Sequence, residues 1–295
     1  MDAFELAAIS KSVYQGECFV IATKHHKSIA LAPAFSSRLG AGMMEYYADT
    51  DQLGAFTMAN PSKLSPIQIA RQKCLWVLEK TNADFAIGSE GSFLPHPDRP
   101  YMQANHEVLY FIDRRNNIEI YETSISTEMH YFSEIVSTQE ELLKFAKQAR
   151  FPSHGILLCP FPKHAGQKLF QEITSFEKLI QHFNEAKKRS GMGKVWVETE
   201  LRAHLNPTRM KHIEKLGHQL IDRLISLCPQ CKAPGCGQAQ LTPELTCKTC
   251  GSNAGKMGAE IIRCSQCEYF EKNHMYPLIT PMLGFALTAT LKMEN

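Results

Sequence analysis

The run from Cys18 to Ala22 is apolar and β-rich, and the polar residues after it predict a strand ending at Thr23 and a helix over Lys27 to Leu39. Ser65-Pro66-Ile67-Gln68 combines a hydroxyl N-cap, proline at the first helical position and glutamine three residues after the cap. That is a capping box, and it predicts a helix over Ile69 to Glu79. Ala83 to Gly88 reads as a buried strand entering a Gly/Ser/Pro-rich loop, Ser89 to Pro100. A strand from Glu107 to Asp113 then pairs as a hairpin with Ile118 to Tyr121, across the polar turn Arg114 to Asn117. Thr138 with Glu141, and Thr174 with Glu177, repeat the capping-box spacing before amphipathic stretches ending near Ala149 and Arg189. Strands are predicted over Gly155 to Cys159 and Lys194 to Thr199. Asn206 and Pro207 open a last helix, in which Met210, Ile213, Leu216, Leu220, Leu224 and Leu227 recur at helical spacing. This alternation implies an α/β fold, a mixed sheet with flanking helices.

A chain of 295 residues suggests two domains. The cysteines begin where the last helix ends, so we expect an α/β body over 1–227, a zinc-ribbon-like module over 228–277 and an apolar segment over 278–295 docked on the body. Pro281 and several threonines break that last segment, and it is shorter than the ~20 residues of a membrane span. Met1 to Ser10 carries two acids and no basic n-region, so a cytoplasmic location is expected. A formal charge of +2 does not argue for a nucleic-acid or membrane partner.

Seven of the ten cysteines lie between Cys228 and Cys267. In a reducing compartment that density favours metal over disulfide. Cys228-Pro-Gln-Cys231, Cys247-Lys-Thr-Cys250 and Cys264-Ser-Gln-Cys267 are three C-x-x-C knuckles, each able to bring two thiolates to one zinc ion. Spacing does not choose which two knuckles join. If the first and third do, Cys236 and His274 are available to the middle pair. Four thiolates leave no open position, so the expected zinc is structural.

Three polar constellations in the body are candidates for chemistry. The densest runs from Glu198 to Arg209. Continued strand alternation would put Glu198, Glu200 and Arg202 on one face, with His204 nearby and Arg209 beside the first amides of the last helix. Carboxylates for a divalent cation would then stand beside groups for phosphate; the alternative is an ion-pair network bracing helix against sheet. The second is Gly88 to Pro97, where Glu90 is the only acid and His96 follows. The third is Thr23-Lys24-His25-His26-Lys27, where Lys24 and Lys27 could meet phosphate or form a solvated turn. Asp49 and Asp51 suit either a metal site or an acidic turn. No Walker A, dinucleotide, zincin or nucleophile-elbow motif occurs.

At ATKHHK (22–27), DTDQLGAFT (49–57), GSEGSFLPHP (88–97), FPSHG (151–155), ETELRAHLNPTRM (198–210) and the knuckles, the chain resembles a bacterial family known only as a domain of unknown function. That resemblance implies a zinc-ribbon-like C-terminus and no activity. Residues 18–113 are more weakly similar to the pyrophosphatases that clear inosine and xanthosine triphosphates. The likeness implies triphosphate on Lys24 or Lys27, and magnesium or an activated water at Glu90. His25 departs from their usual asparagine, and Ser-Glu-Gly from their Asp-Ser-Gly. The leading expectation is a magnesium-dependent nucleotide or phosphoanhydride hydrolase with Glu90, Glu198 and Glu200 catalytic. The alternative is a non-catalytic adaptor that binds protein or nucleic acid through its zinc ribbon.

Overall fold

The computed structural model describes residues 12–47, 64–163, 170–241, 245–246, 253–255 and 259–274. They fall in two compact units, Met1–Ile225 and Ser226–Asn295.

Strand alternation organises the first unit. β1 (Cys18–Thr23) pairs in parallel with β2 (Gly42–Tyr47) on one side and β3 (Phe85–His96) on the other, and β3, β4 (Arg99–Asp113) and β5 (Ile118–Ser126) continue as an antiparallel meander. The order is β2-β1-β3-β4-β5. Phe19, Ile21, Phe85, Ile87, Leu109 and Phe111 share one face, and α1 (Ser28–Leu39) and α5 (Pro207–Ile225) cover it through Leu31, Phe35, Ile213 and Leu220. Val20, Ala22, Ala86, Val108 and Tyr110 share the other, covered by α2 (Pro66–Thr81) through Ala70, Cys74 and Val77. A sheet covered on both faces explains why its strands read as continuous apolar runs.

A second, wholly antiparallel sheet runs β6-β9-β7-β8, from β6 (Ser133–Val136), β7 (Ile156–Pro160), β8 (Phe170–Ile173) and β9 (Val195–Thr199). Val195 and Val197 point inward beneath α3 (Gln139–Gln148) and α4 (Phe176–Arg189), which contribute Leu142, Phe145, Leu179 and Phe183. The mixed sheet with flanking helices is therefore present, accompanied by this smaller sheet.

The capping boxes at Ser65 and Thr138 form with both reciprocal bonds. For α4 the cap is Ser175, whose hydroxyl accepts from the Lys178 amide; it lies one residue past the expected Thr174, because the helix starts at Phe176. The expected loop from Ser89 to Pro100 is instead the outer half of the β3–β4 hairpin, paired from Phe85↔Asp113 to Pro95↔Gln103. Cross-strand pairing overrides the local breaker composition there. β2, β6 and β8 had no sequence signal strong enough to predict them.

In the second unit β10 (Gly237–Leu241), β13 (Ala259–Arg263) and β14 (Phe270–His274) form an antiparallel sheet in the order β10-β13-β14; β11 (Leu245–Thr246) pairs with β12 (Asn253–Gly255). The expected segment 278–295 lies outside the described residues. No helix among the described residues is long and apolar enough to cross a membrane.

Gly88 and Gly217 mark two close helix contacts. A Cβ at Gly88 would lie 1.9 Å from the Ala70 carbonyl oxygen, whereas one at Gly217 would meet the Leu31 Cδ2 at 2.6 Å. Backbone cannot yield as a side-chain end can. Gly88→Ala is expected to cost ~3 kcal/mol or more and Gly217→Ala about 1 kcal/mol or less, measured by urea unfolding.

Candidate functional site

The metal-ligand residues meet in the second unit. Gly237 on β10 pairs with Arg263 on β13, which pairs with Phe270 on β14, so the turns at 228–235 and 264–269 lie at one end of the sheet. Cys228 Sγ is 3.7 Å from Cys267 Sγ, Cys231 Sγ is 3.5 Å from Cys264 Sγ, and all four sulfurs lie within 4.8 Å of one another. A tetrahedron with arms of about 2.3 Å has edges near 3.8 Å, so the set fits one zinc ion. Amides of Gln266 and Cys267 donate to Cys264 Sγ at 3.2 and 3.4 Å. The first and third knuckles are thus the ones that join. Cys247 and Cys250 lie outside the described residues, as do Asp49 and Asp51. Cys236 is buried but is not one of the four, and His274 ends β14.

In the body, the polar cluster follows the alternation of β3. Ser89 and Gly91 take the face of α1 and α5, and Glu90 takes the face of α2. On the α2 side Lys73 donates to Glu90 Oε2 at 2.5 Å and to the Ser89 carbonyl at 3.3 Å. On the other side the Lys27 ammonium donates to Ser89 Oγ at 2.8 Å. Beside it Arg209 donates through Nε to Glu107 Oε1 at 2.6 Å and through Nη1 to the Leu201 carbonyl at 2.8 Å, with its guanidinium over the Phe93 ring at 5.3 Å. A Cβ on Gly91 would come within 2.2 Å of Arg209 Nη2 and 2.4 Å of Glu107 Oε2, so only glycine lets this pair lie on the strand. Along the same face His212 bridges Asn105 at 3.0 Å and Ser124 at 2.8 Å.

Lys27, Lys73, Glu90 and Glu107 are 6%, 7%, 6% and 1% exposed, and the Arg209 side chain is 10% exposed. Three cations therefore face two carboxylates. Lys73 and Arg209 take the carboxylates, and Lys27 is left with a neutral hydroxyl. Burial pushes its pKa down from 10.5 to about 8, against the pull of Glu107 and with help from Arg209 and Lys73. Burial pushes the Glu107 carboxyl up, but Arg209 and Lys27 outweigh it and hold Glu107 below the usual carboxylate range.

The remaining expected residues divide. β9 ends at Thr199, so the expected common face for Glu198, Glu200 and Arg202 does not form. Glu198 accepts from Trp196 Nε1 at 2.8 Å and Lys163 at 3.1 Å. Glu200 is buried in the turn that follows, accepting from the Leu201 and Arg202 amides and from Arg202 Nη2 at 2.7 Å. Arg202 also reaches Glu172 at 2.9 Å. The His204 ring stacks on His25 with centroids 5.0 Å apart, and burial, then Arg202, lowers its pKa. Lys24 is half-buried after β1. His96 accepts from the Asp98 amide at the hairpin tip, six residues and about 20 Å along β3 from Glu90. Glu107 and Lys73 were missed. The available signal was phase: Glu107 alternates with Leu109 and Phe111, and Lys73 stands four residues from both Ile69 and Val77 on the apolar face of α2.

A cavity of about 350 Å³ lies at the other end of the sheet, lined by Leu75, Leu78, Ile112 and Glu119 among others, away from this cluster.

A model of a domain of unknown function (DUF6671) matches residues 73–280. The chain belongs to that family. The DUF6671 match spans Lys73, Glu90, Glu107, Arg209 and all six knuckle cysteines, and begins after Lys27. No curated protein matches the chain. Among solved structures, protein VC0702 from Vibrio cholerae is 11% identical over 45% of this chain and 73% of its own, with a TM-score of 0.28. A likeness that low carries no argument about this DUF6671 member.

Two predictions follow from this geometry. Cys231→Ser and Cys264→Ser should each abolish metal held at the four-thiol site, seen with cobalt as loss of the thiolate-to-metal absorption band of the wild-type chain. Lys27 keeps its proton in the unfolded chain up to about pH 10.5 and loses it in the folded chain near 8, so folding stability should rise with pH across that window. The rise should total ~3 kcal/mol and be absent from Lys27→Met, which should be the more stable protein below pH 8. Urea unfolding of both proteins across the window measures it.

Proposed function

We propose that the body binds a phosphate-containing ligand, a nucleotide in the leading case, beyond the C-terminal end of β1 and beside the middle of β3, and hydrolyses its phosphoanhydride with magnesium. In this reading the cysteine module is a zinc ribbon whose ion is structural. The observation that carries the proposal is the excess cation: Lys27 is buried and charged, and both nearby carboxylates are taken by Lys73 and Arg209. Burying an unpaired ammonium is costly, and a chain keeps one where a ligand supplies the counter-charge. The position supports the reading, because Lys27 precedes α1 directly after a parallel strand and the first turn of α1 has no side-chain cap. Crevices beyond the carboxyl ends of such strands are where open α/β sheets take ligands.

The roles then differ from those read along the sequence. Lys27 and Arg209 would neutralise the phosphoryl oxygens as charge develops, with Arg209 held in place by Glu107 and Leu201. Glu90, Glu198 and Glu200 each already answer to a cation, so magnesium would enter on the phosphates of its nucleotide. Glu90 and Glu200 would act by bracing Lys73 and the turn ahead of α5.

The test is a panel of nucleotides with magnesium on the zinc-loaded chain, following melting temperature and phosphate or pyrophosphate release. A nucleotide that stabilises the chain and is cleaved supports the proposal. Lys27→Met should then lose both effects while melting higher than wild type without ligand. No shift and no release with any nucleotide would overturn the proposal and favour the adaptor.

A further inference from the structure

The partner that Glu107 lacks specifies the protonation state of the anion. Its carboxylate is 1% exposed; Oε1 accepts from Arg209, and Oε2 has no hydrogen-bond partner among the described residues. Both oxygens and Arg209 Nη2 converge within 2.6 Å of the point where Gly91 has no side chain. Two residues along the same face, Asn105 Oδ1 is likewise buried without a donor. A buried acceptor left unpaired is costly, and more so when charged. The site therefore offers donors, Lys27 and Arg209, beside acceptors that still need a hydrogen. A fully ionised anion satisfies the first and is repelled by the second. An anion that keeps one proton satisfies both.

We infer that this site selects phosphate over sulfate, taking hydrogenphosphate or the monoanion of a phosphomonoester with its P–O–H group donating to Glu107 Oε2. Phosphomonoesters hold that proton up to a second pKa of about 6, close enough to neutrality for binding to retain it. Sulfate has the same shape and no proton at neutral pH. This inference rests on the phosphate reading above and adds the group that enforces it. Rejection of a look-alike that lacks one donor is what a buried, unpaired acceptor achieves in other recognition sites.

The probes are inorganic phosphate, a simple phosphomonoester and inorganic sulfate, titrated by calorimetry into the zinc-loaded full chain in chloride buffer at about pH 6.5 and about pH 8.5, a range over which the phosphomonoester loses its last proton and hydrogenphosphate keeps one. Phosphate should bind at least about tenfold more tightly than sulfate, the yield of one charge-assisted hydrogen bond. The phosphate-to-sulfate ratio should hold at the higher pH, where hydrogenphosphate still carries a proton, whereas the phosphomonoester should lose its advantage over sulfate there. It is the ratio that reports on Glu107, because deprotonation of Lys27 weakens every anion alike. Glu107→Gln keeps an oxygen for Arg209 and turns an N–H toward the anion, so sulfate should gain and the ratio should fall to within about threefold. If that variant does not fold, the wild-type ratio and its pH trend decide alone. Equal binding of phosphate and sulfate by wild type would overturn the inference, assign the Glu107 partner to an ordered water and leave the phosphate reading standing. Failure of all three probes, with no nucleotide bound, would overturn both.

Discussion

A strand buried on both faces cannot carry charge unless each charge finds its opposite, and β3 imposes that requirement on the whole body. Gly88, Ser89 and Gly91 keep the strand thin, so α2 closes on one face and the Arg209 end of α5 on the other. Glu90 then meets a lysine from α2, and across the hairpin Glu107 meets an arginine from α5. The pairs lie on opposite sides of one sheet, and together they fix how both helices approach it. Replacing either pair with apolar residues of similar volume would cost the fold little; breaking one by removing a single partner would cost much.

The cluster is over-supplied with positive charge, and hydrophobic packing alone gives no reason for that. The aromatic core of Tyr14, Phe19, Phe35, Phe85 and Phe111, with ring centroids 5.2 to 5.6 Å apart, packs at the start of β1 and β3. The charges gather beyond the end of β1 and midway along β3 and β4. Apolar packing is thus concentrated at one end of the sheet, and buried charge lies apart from it.

Local signals were the most legible part of the fold. The boxes at Ser65 and Thr138, and the Asn206–Pro207 start of α5, fell where hydroxyl, amide and proline chemistry put them, because a cap involves residues only three apart. The β3–β4 arm was not legible. Its Gly, Ser and Pro content reads as a loop until β4 supplies a partner for every residue. The candidate site divides the same way. Lys27, Glu90 and Arg209 stood out as polar residues at element ends, whereas Lys73 and Glu107 hide inside elements and betray themselves only by falling in phase with apolar neighbours. Glu200 stood out, but its surroundings are those of a turn brace. Strand alternation was extended past Thr199, where the chain turns and uses the carboxylate to hold two of its own amides.

The four thiols have a further consequence for how the chain matures. The gathered knuckles are 32 residues apart, the first following α5 in sequence and the second in the turn between the last two described strands. During synthesis Cys228 and Cys231 leave the ribosome as a bidentate pair, and their coordination sphere closes only after Cys267 has followed. Until then the middle knuckle, Cys247 and Cys250, is the nearer source of thiolates for any zinc ion the first pair has captured. The native arrangement must therefore outcompete that earlier pairing, and the β10-β13-β14 sheet, by bringing two distant turns to one end, gives it the means.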